Sequence, residues 1–265
     1  MTQMLQRVFA VAGSTFWESV RNRAFIGMLL GALVLIAGSM LLSQMVVFDQ
    51  RQRVVLDFGL FFISFTGVII AIIVGVLLIY KDLAQKTIYA LLTKPVRRFE
   101  FVLGRFLGLL AILIFMFIIM TGAWLLVLKS EGVILRGIHF QALFLVFIQL
   151  CIVASVAILF SSFSSPVLSG IFTFGIYAVG RQVDFINDLL TATKGPFASF
   201  PWLKPIGSGI VNIFPDLTLF DITRQILLDV ELPWTFIAST SIYGLSYIIV
   251  FIMAAMAIFN RREFV

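Results

Sequence analysis

The chain has 265 residues, of which 61% are hydrophobic and only 12% charged, with a formal net charge of +6 and a mean hydropathy of +1.11. A soluble domain carries about 25% charged residues, so this composition excludes one and indicates an integral membrane protein with no nucleic-acid partner. No stretch is long and polar enough for a soluble ATPase or enzyme domain.

In chain order, residues 1–23 come first. Met4, Val8, Val11 and Phe9, Ala12, Phe16, Val20 lie on one broad helical face, with Arg7, Glu18, Arg21 and Arg23 elsewhere. This predicts an amphipathic helix in the headgroup plane, with Trp17 at the interface. No small-residue cleavage pattern follows a short apolar core, so no removable signal peptide is expected. The first span is predicted at Ala24–Phe48, with a G-x-x-x-G pair at Gly27 and Gly31 that permits close helix contact. A loop at Asp49–Asp57 leads to a second span, Phe58–Tyr80.

Lys81 to Phe106 is the most charged stretch of its length, carrying Lys81, Asp82, Lys86, Lys94, Arg97, Arg98, Glu100 and Arg105. Leu83, Thr87, Ala90 and Leu91 recur at three- and four-residue spacing, which predicts a short amphipathic helix over 81–94. Lys94-Pro95 ends it, because the residue before proline is pushed out of the α region. Pro95 fits the first turn of the next helix, where its missing N–H costs nothing. Any loop between two spans must be polar; the apolar face adds the possibility of docking.

The third span is predicted at Phe106–Leu128 and the fourth at Ala142–Phe160, joined by a loop over Lys129–Gln141. His139 sits at a span edge, where an interfacial histidine without function is the default. Cys151 lies in an apolar run as an inert thiol. With one Cys and one His, the chain excludes an intramolecular disulfide and a structural zinc cluster, and no cofactor is expected. Methionine pairs such as Met116/Met120 and Met253/Met256 are read as core packing.

Ser161–Ser165 and Pro166 form an uncharged turn. The fifth apolar run, Val167–Gly180, is short for a span. Residues 181–233 are the longest non-spanning region. Val183, Ile186, Leu189 and Leu190 share one face of a short helix. The glycines and prolines from Gly195 to Pro215 are expected to break regular structure. Asp216 is positioned to cap a helix carrying Leu219, Ile222, Ile226 and Val230. The last span is predicted at Trp234–Phe259.

Six spans place both termini on one side. That side carries eleven basic against four acidic residues, a net of +7, and leaves the other with eight against nine, or −1. The positive-inside rule makes the termini and the 81–105 hinge cytoplasmic and residues 181–233 extracytoplasmic. No span contains Asp, Glu, Lys, Arg or His, whereas proton-coupled carriers and channels rely on such groups at depth. Energy for transport would then have to come from a partner.

From Thr93 the hinge reads T-K-P-V-R-R-F-E-F-V-L-G-R-F-L-G. With Lys86-Thr87-Ile88, Leu91-Leu92, Pro95-Val96, Arg98, Phe101-Val102, Gly104-Arg105 and Gly108 in place, it resembles the loop after the second span of type-2 ABC transporter permeases. Asp82 stands where that family has glutamate, and Gln85-Lys86 where it has a small residue. Weaker likenesses extend over most of the chain: the E-x-x-R-N-R run Glu18–Arg23, the segment P-D-L-T-L-F-D at Pro215–Asp221, and the closing F-N-R-R-E-F.

The resemblance implies an all-α polytopic fold of six transmembrane helices forming one permease domain, 1–265. Its parts would be an interfacial helix (1–23), a cytoplasmic coupling helix (81–94) and extracytoplasmic helices (181–233). Leu83, Lys86, Thr87, Leu91, Leu92, Pro95, Arg97 and Arg98 would couple to a cytoplasmic ABC ATPase dimer. Trp17, Glu18, Arg21 and Arg23 would belong to the interfacial helix. A second permease copy, contacting through the first and fifth spans, membrane lipids and an accessory subunit are the other implied partners, in a bacterial inner membrane. This chain has no G-x-x-x-x-G-K-[ST] loop, so ATP would be hydrolysed elsewhere. A charge-free path suits export of a lipid, a lipid-linked molecule or another amphiphile. An intramembrane enzyme or a non-transporting scaffold are the alternative classes.

Overall fold

The computed structural model describes residues 2–46, 50–84, 98–191, 202, 204–227, 230 and 232–261. Among these the protein is an all-α polytopic membrane fold. Helix α1 (Thr2–Val20) is followed by α2 (Arg23–Gln44), α3 (Arg51–Ala84), α4 (Arg98–Ser130), α5 (Gly137–Ser161) and α6 (Pro166–Gly180). Short helices α7 (Val183–Thr191), α8 (Lys204–Ile213) and α9 (Thr223–Leu227) precede the last helix, α10 (Trp234–Arg261).

Helices α2, α3, α4, α5 and α10 are each long and apolar enough to cross a membrane. The 15-residue α6 is about 22 Å long at 1.5 Å per residue, short of the ~30 Å of hydrocarbon. Pro166 stands in its first turn, which fixes its start after the uncharged serine turn.

Helix α5 is the centre. It is apolar on every side, as a fully surrounded helix must be. Of its apolar window 72% is buried, against 22% for α2 and for α10. Helices α3, α4, α6 and α10 pack around it. The core beneath includes Leu109, Ile112, Met116, Met120 and Trp124, all fully buried. Met116 and Met120 are therefore packing residues, as expected. Cys151 is buried in α5.

Two ends of the bundle can be told apart by their contacts. At the hinge end, α1 lies along the start of α4, and Phe101 stacks on Phe259 of α10 at 5.7 Å. At the loop end, the Ser43 hydroxyl donates to the Glu131 carboxylate at 3.2 Å. Arg181 meets Asp221 there at 2.7 Å.

Three sequence expectations change. The loop expected at Asp49–Asp57 is helical from Arg51, so α3 runs 34 residues, about 51 Å. The break expected through Lys204–Pro205 is instead the start of α8, whose first turn holds Pro205 without loss of a hydrogen bond. The single helix expected after Asp216 is divided into a 3-10 turn, Thr218–Phe220, and α9. Asp221 divides it: its carboxylate accepts from the Thr223 N–H at 3.1 Å and starts a new helix. His139, in the first turn of α5 as the span edge requires, is 4% exposed. Its Nδ1 accepts the Arg136 N–H at 3.1 Å, and its ring lies beside Trp124.

Candidate functional site

Of the eight coupling positions, Lys86, Thr87, Leu91, Leu92, Pro95 and Arg97 lie outside the described residues. Leu83 falls in the last turn of α3, and Arg98 is the first residue of α4. Helix α3 thus continues through the first four residues of the segment expected to form a separate helix from Lys81.

The helix expected at the interface, α1, is placed in more detail. Trp17 is 66% exposed, and Arg21 and Arg23 are exposed. Asn22 separates α1 from α2: its side-chain oxygen accepts the Ala24 N–H at 2.9 Å and caps α2. The opposite face of α1 is clasped to α4. Arg7 pairs with the buried Glu100 at 3.9 Å, and Glu18 with the buried Arg105 at 3.8 Å. The Arg105 guanidinium also donates to the Thr15 hydroxyl at 2.9 Å and sits over the Phe101 ring. So Arg7 and Glu18, which lie off the apolar face of α1, reach α4 and meet opposite charges.

Two glycines allow this approach. A Cβ at Gly104 would stand 2.7 Å from the Val11 Cβ and 3.0 Å from the Val8 carbonyl oxygen. One at Gly108 would stand 2.5 Å from the Thr15 Cβ and 2.9 Å from the Ala12 carbonyl oxygen. Small residues four apart let two helix backbones touch. The sequence signal for a close contact was placed on Gly27 and Gly31. There an added Cβ would meet nothing within 4 Å, so within one chain the packed pair is Gly104/Gly108.

At the loop end the segment Pro215–Asp221 folds against the end of α6. The Leu217 N–H donates to the Gly180 carbonyl at 3.0 Å, and a Cβ at Gly180 would stand 2.6 Å from the Pro215 carbonyl oxygen. Asp216 accepts from the backbone N–H and the hydroxyl of Thr218, at 2.9 and 2.6 Å. Phe220 is fully buried. Burial alone would raise the Asp221 pKa. Hydrogen bonds from Thr223 and the adjoining Arg181 guanidinium outweigh it and hold the carboxyl below its ordinary value. The Asp221 carboxyl therefore stays ionised at neutral pH, beside the Arg181 guanidinium.

Beside that pair a polar cavity of about 110 Å³ runs between α3, α5 and α6. Asp57, Ser64, Gln149, Tyr177, Arg181 and Asp221 line it. Sequence reasoning missed it. Its one signal was a lone glutamine, Gln149, in the middle of an otherwise apolar run. Among the described residues no group of three or more His, Cys, Asp or Glu is placed to hold a metal ion.

The sequence profile of the ABC-2 family transporter protein matches residues 9–264. The chain belongs to this family. No curated protein matches it significantly. Membership makes it a multi-pass transmembrane permease of an ABC transporter, a class that works with an ABC ATPase. The hinge, the segment Pro215–Asp221 and the α1 clasp apart from Arg7 fall within the matched residues.

Proposed function

We propose that this chain is the permease subunit of an exporter of lipid, lipid-linked or other amphiphilic molecules, driven by a separate cytoplasmic ATPase dimer. The family match over residues 9–264 carries this reading. The apolar face of Leu83, Thr87, Ala90 and Leu91 would seat in an ATPase cleft, with Leu92 at the end of the same helix and Pro95, Arg97 and Arg98 forming the corner beside it. Lys86 would lie on the exposed side. Motion of the hinge would reach α4 first, and α1 would move with it through the Gly104/Gly108 contact. The spans carry no charge, so a path between two permeases would favour apolar cargo with a small polar head.

Two copies of the chain would form the pore. Gly27, Gly31 and Gly175 have nothing within 4 Å of an added Cβ, and Gly170 only a loose contact with Ile72. These small faces on α2 and α6 are open to a second copy, which supports contact through the first and fifth spans. The experiment is purification of the tagged chain from its native membrane, followed by intact-complex mass measurement. The expected mass contains two permeases and two ATPase chains. A chain that purifies alone, under conditions that keep other membrane complexes whole, would count against the transporter reading and favour a scaffold.

The charge balance of +7 against −1 supports cytoplasmic termini in a bacterial inner membrane. In a Cys151→Ala background, Ser199→Cys is expected to react with an impermeant thiol reagent added outside, and Ser14→Cys only after the membrane is opened. Reaction of Ser14→Cys alone from outside would invert the topology.

A further inference from the structure

The cavity between α3, α5 and α6 holds polar groups that the protein itself leaves unsatisfied. Several hydroxyls in the spans, though not those of Thr121 and Ser169, bond back to their own helix: Ser155 to the Ile152 carbonyl at 2.7 Å, Ser161 to that of Ala157 at 2.6 Å, Thr173 to that of Ser169 at 2.7 Å. Gln149 does not. It is fully buried halfway along α5, and neither its amide oxygen nor its amide nitrogen meets a partner. The Ser64 hydroxyl is also buried without a partner. The Tyr177 hydroxyl lies beside both, in geometry too poor for a formed hydrogen bond. A buried amide without a partner costs free energy that a bound polar molecule would return.

The cavity adjoins a wider groove of about 490 Å³ at the loop end. The two share Asp57, Arg181, Asp221 and Thr223, and the groove adds Asp184, Arg224 and Gln225. Three carboxylates thus face two guanidiniums, and Arg181 is already committed to Asp221. The Gln225 side-chain oxygen is buried without a partner as well. Three of the buried groups without a partner can accept, the Gln149 and Gln225 side-chain oxygens and the Ser64 hydroxyl, and only the Gln149 amide nitrogen is purely a donor; beside them stand the exposed Asp57 carboxylate and the surplus negative charge. Such an inventory calls for a compact cation rich in N–H donors. Phe61 and Tyr177 in the cavity wall add ring faces that attract a cation.

We propose that the cavity and its groove bind a protonated primary amine, held by Asp57 at the mouth and by Gln149 and Ser64 at the floor. Either a free amine or the amino headgroup of a lipid supplies this chemistry. The inference deepens the export reading by naming the polar head of the cargo, and only the word cargo rests on that reading.

Binding is measured on the full chain in nanodiscs holding equal parts phosphatidylethanolamine, phosphatidylcholine and phosphatidylglycerol, by mass spectrometry of retained lipid. Phosphatidylethanolamine is expected to be retained roughly tenfold over the other two, as for a hydrogen bond to a charged group. Equal retention of all three overturns the proposal. So does retention of phosphatidylcholine, whose headgroup nitrogen is positively charged but has no N–H, to the same degree. Asp57→Asn and Gln149→Leu are each expected to reduce the preference roughly tenfold. Gln149→Leu keeps the side chain's bulk in an apolar span, and Asp57→Asn keeps its shape, so both should insert normally. A preference that survives both substitutions also overturns the proposal. Soluble ethanolamine that displaces the lipid identifies the free amine as sufficient; failure to displace identifies the lipid. Amine preference in a chain that has no ATPase partner would sink the export reading and leave the site. Transport without amine preference would sink the site alone.

Discussion

Gly108→Val is expected to detach α1 from α4 while the spans still insert. The added Cβ would fall 2.5 Å from the Thr15 Cβ and 2.9 Å from the Ala12 carbonyl oxygen. The second contact is backbone, which cannot turn aside as a side-chain tip can, so the whole helix must move. Overpacking of this kind costs about 1–3 kcal/mol. Three polar contacts depend on the same approach: Arg7 with Glu100, Glu18 with Arg105, and Arg105 with Thr15. Once α1 lifts, Glu100 and Arg105 lose these oppositely charged or hydroxyl neighbours in a buried setting. That adds to the penalty. The control is Gly122→Ala on the same helix, where nothing lies within 4 Å, and its effect should stay within about 0.5 kcal/mol. Trypsin cleavage after Arg7 and Arg21, in membranes, reads the clasp. Faster cleavage in Gly108→Val than in Gly122→Ala is expected, together with loss of ATP-driven activity. Equal protection of α1 in the two variants would show that the Gly104/Gly108 contact does not hold the helix.

The clasp also marks a limit of reading along one dimension. Spans are legible because burial in hydrocarbon acts on every residue of a run, so hydropathy alone places α2, α3, α4, α5 and α10. The face of α7 is legible for a similar reason: Val183, Ile186, Leu189 and Leu190 are its less exposed positions. Pairings between helices are not. Nothing near Arg7 in sequence names Glu100 as the charge it meets.

The starts of α3 and α8 are hidden in the sequence because charge and proline both act as loop signals. Arg51–Asp57 stays helical since a backbone that is already helical gains a hydrogen bond with each residue added. Pro205 stays helical because it stands in a first turn. Gln149 was hidden by averaging: one amide barely moves the hydropathy of a span, though its burial without a partner is costly. The motif Pro215–Asp221 was visible as a likeness, but its role was not. The backbone of Pro215 and Leu217 packs on Gly180, Asp216 and Asp221 cap, and Phe220 fills the core.

The hinge is where the export reading is most exposed to test. Leu91→Asp is expected to release the ATPase from an otherwise intact permease. In the proposed docking, Leu91 shares one helical face with Leu83, Thr87 and Ala90, and that face would meet an apolar cleft. A carboxylate placed there without a partner loses its hydration, at a cost of several kcal/mol. Each ~1.4 kcal/mol is tenfold in binding, so the complex should not survive purification. Lys86→Gln removes a charge that the same docking leaves in water, where an ion pair is worth roughly 0–1 kcal/mol. It should keep its ATPase. The two variants therefore separate an apolar docking face from a merely basic loop, for which the order of effects would be reversed or absent. Co-purified ATPase is measured against permease for each, with membrane insertion followed in parallel. If Leu91→Asp inserts normally and retains its ATPase, the 81–94 segment is a solvated connection and coupling must run through another surface, of which the exposed side of α1 around Trp17 is the next to probe.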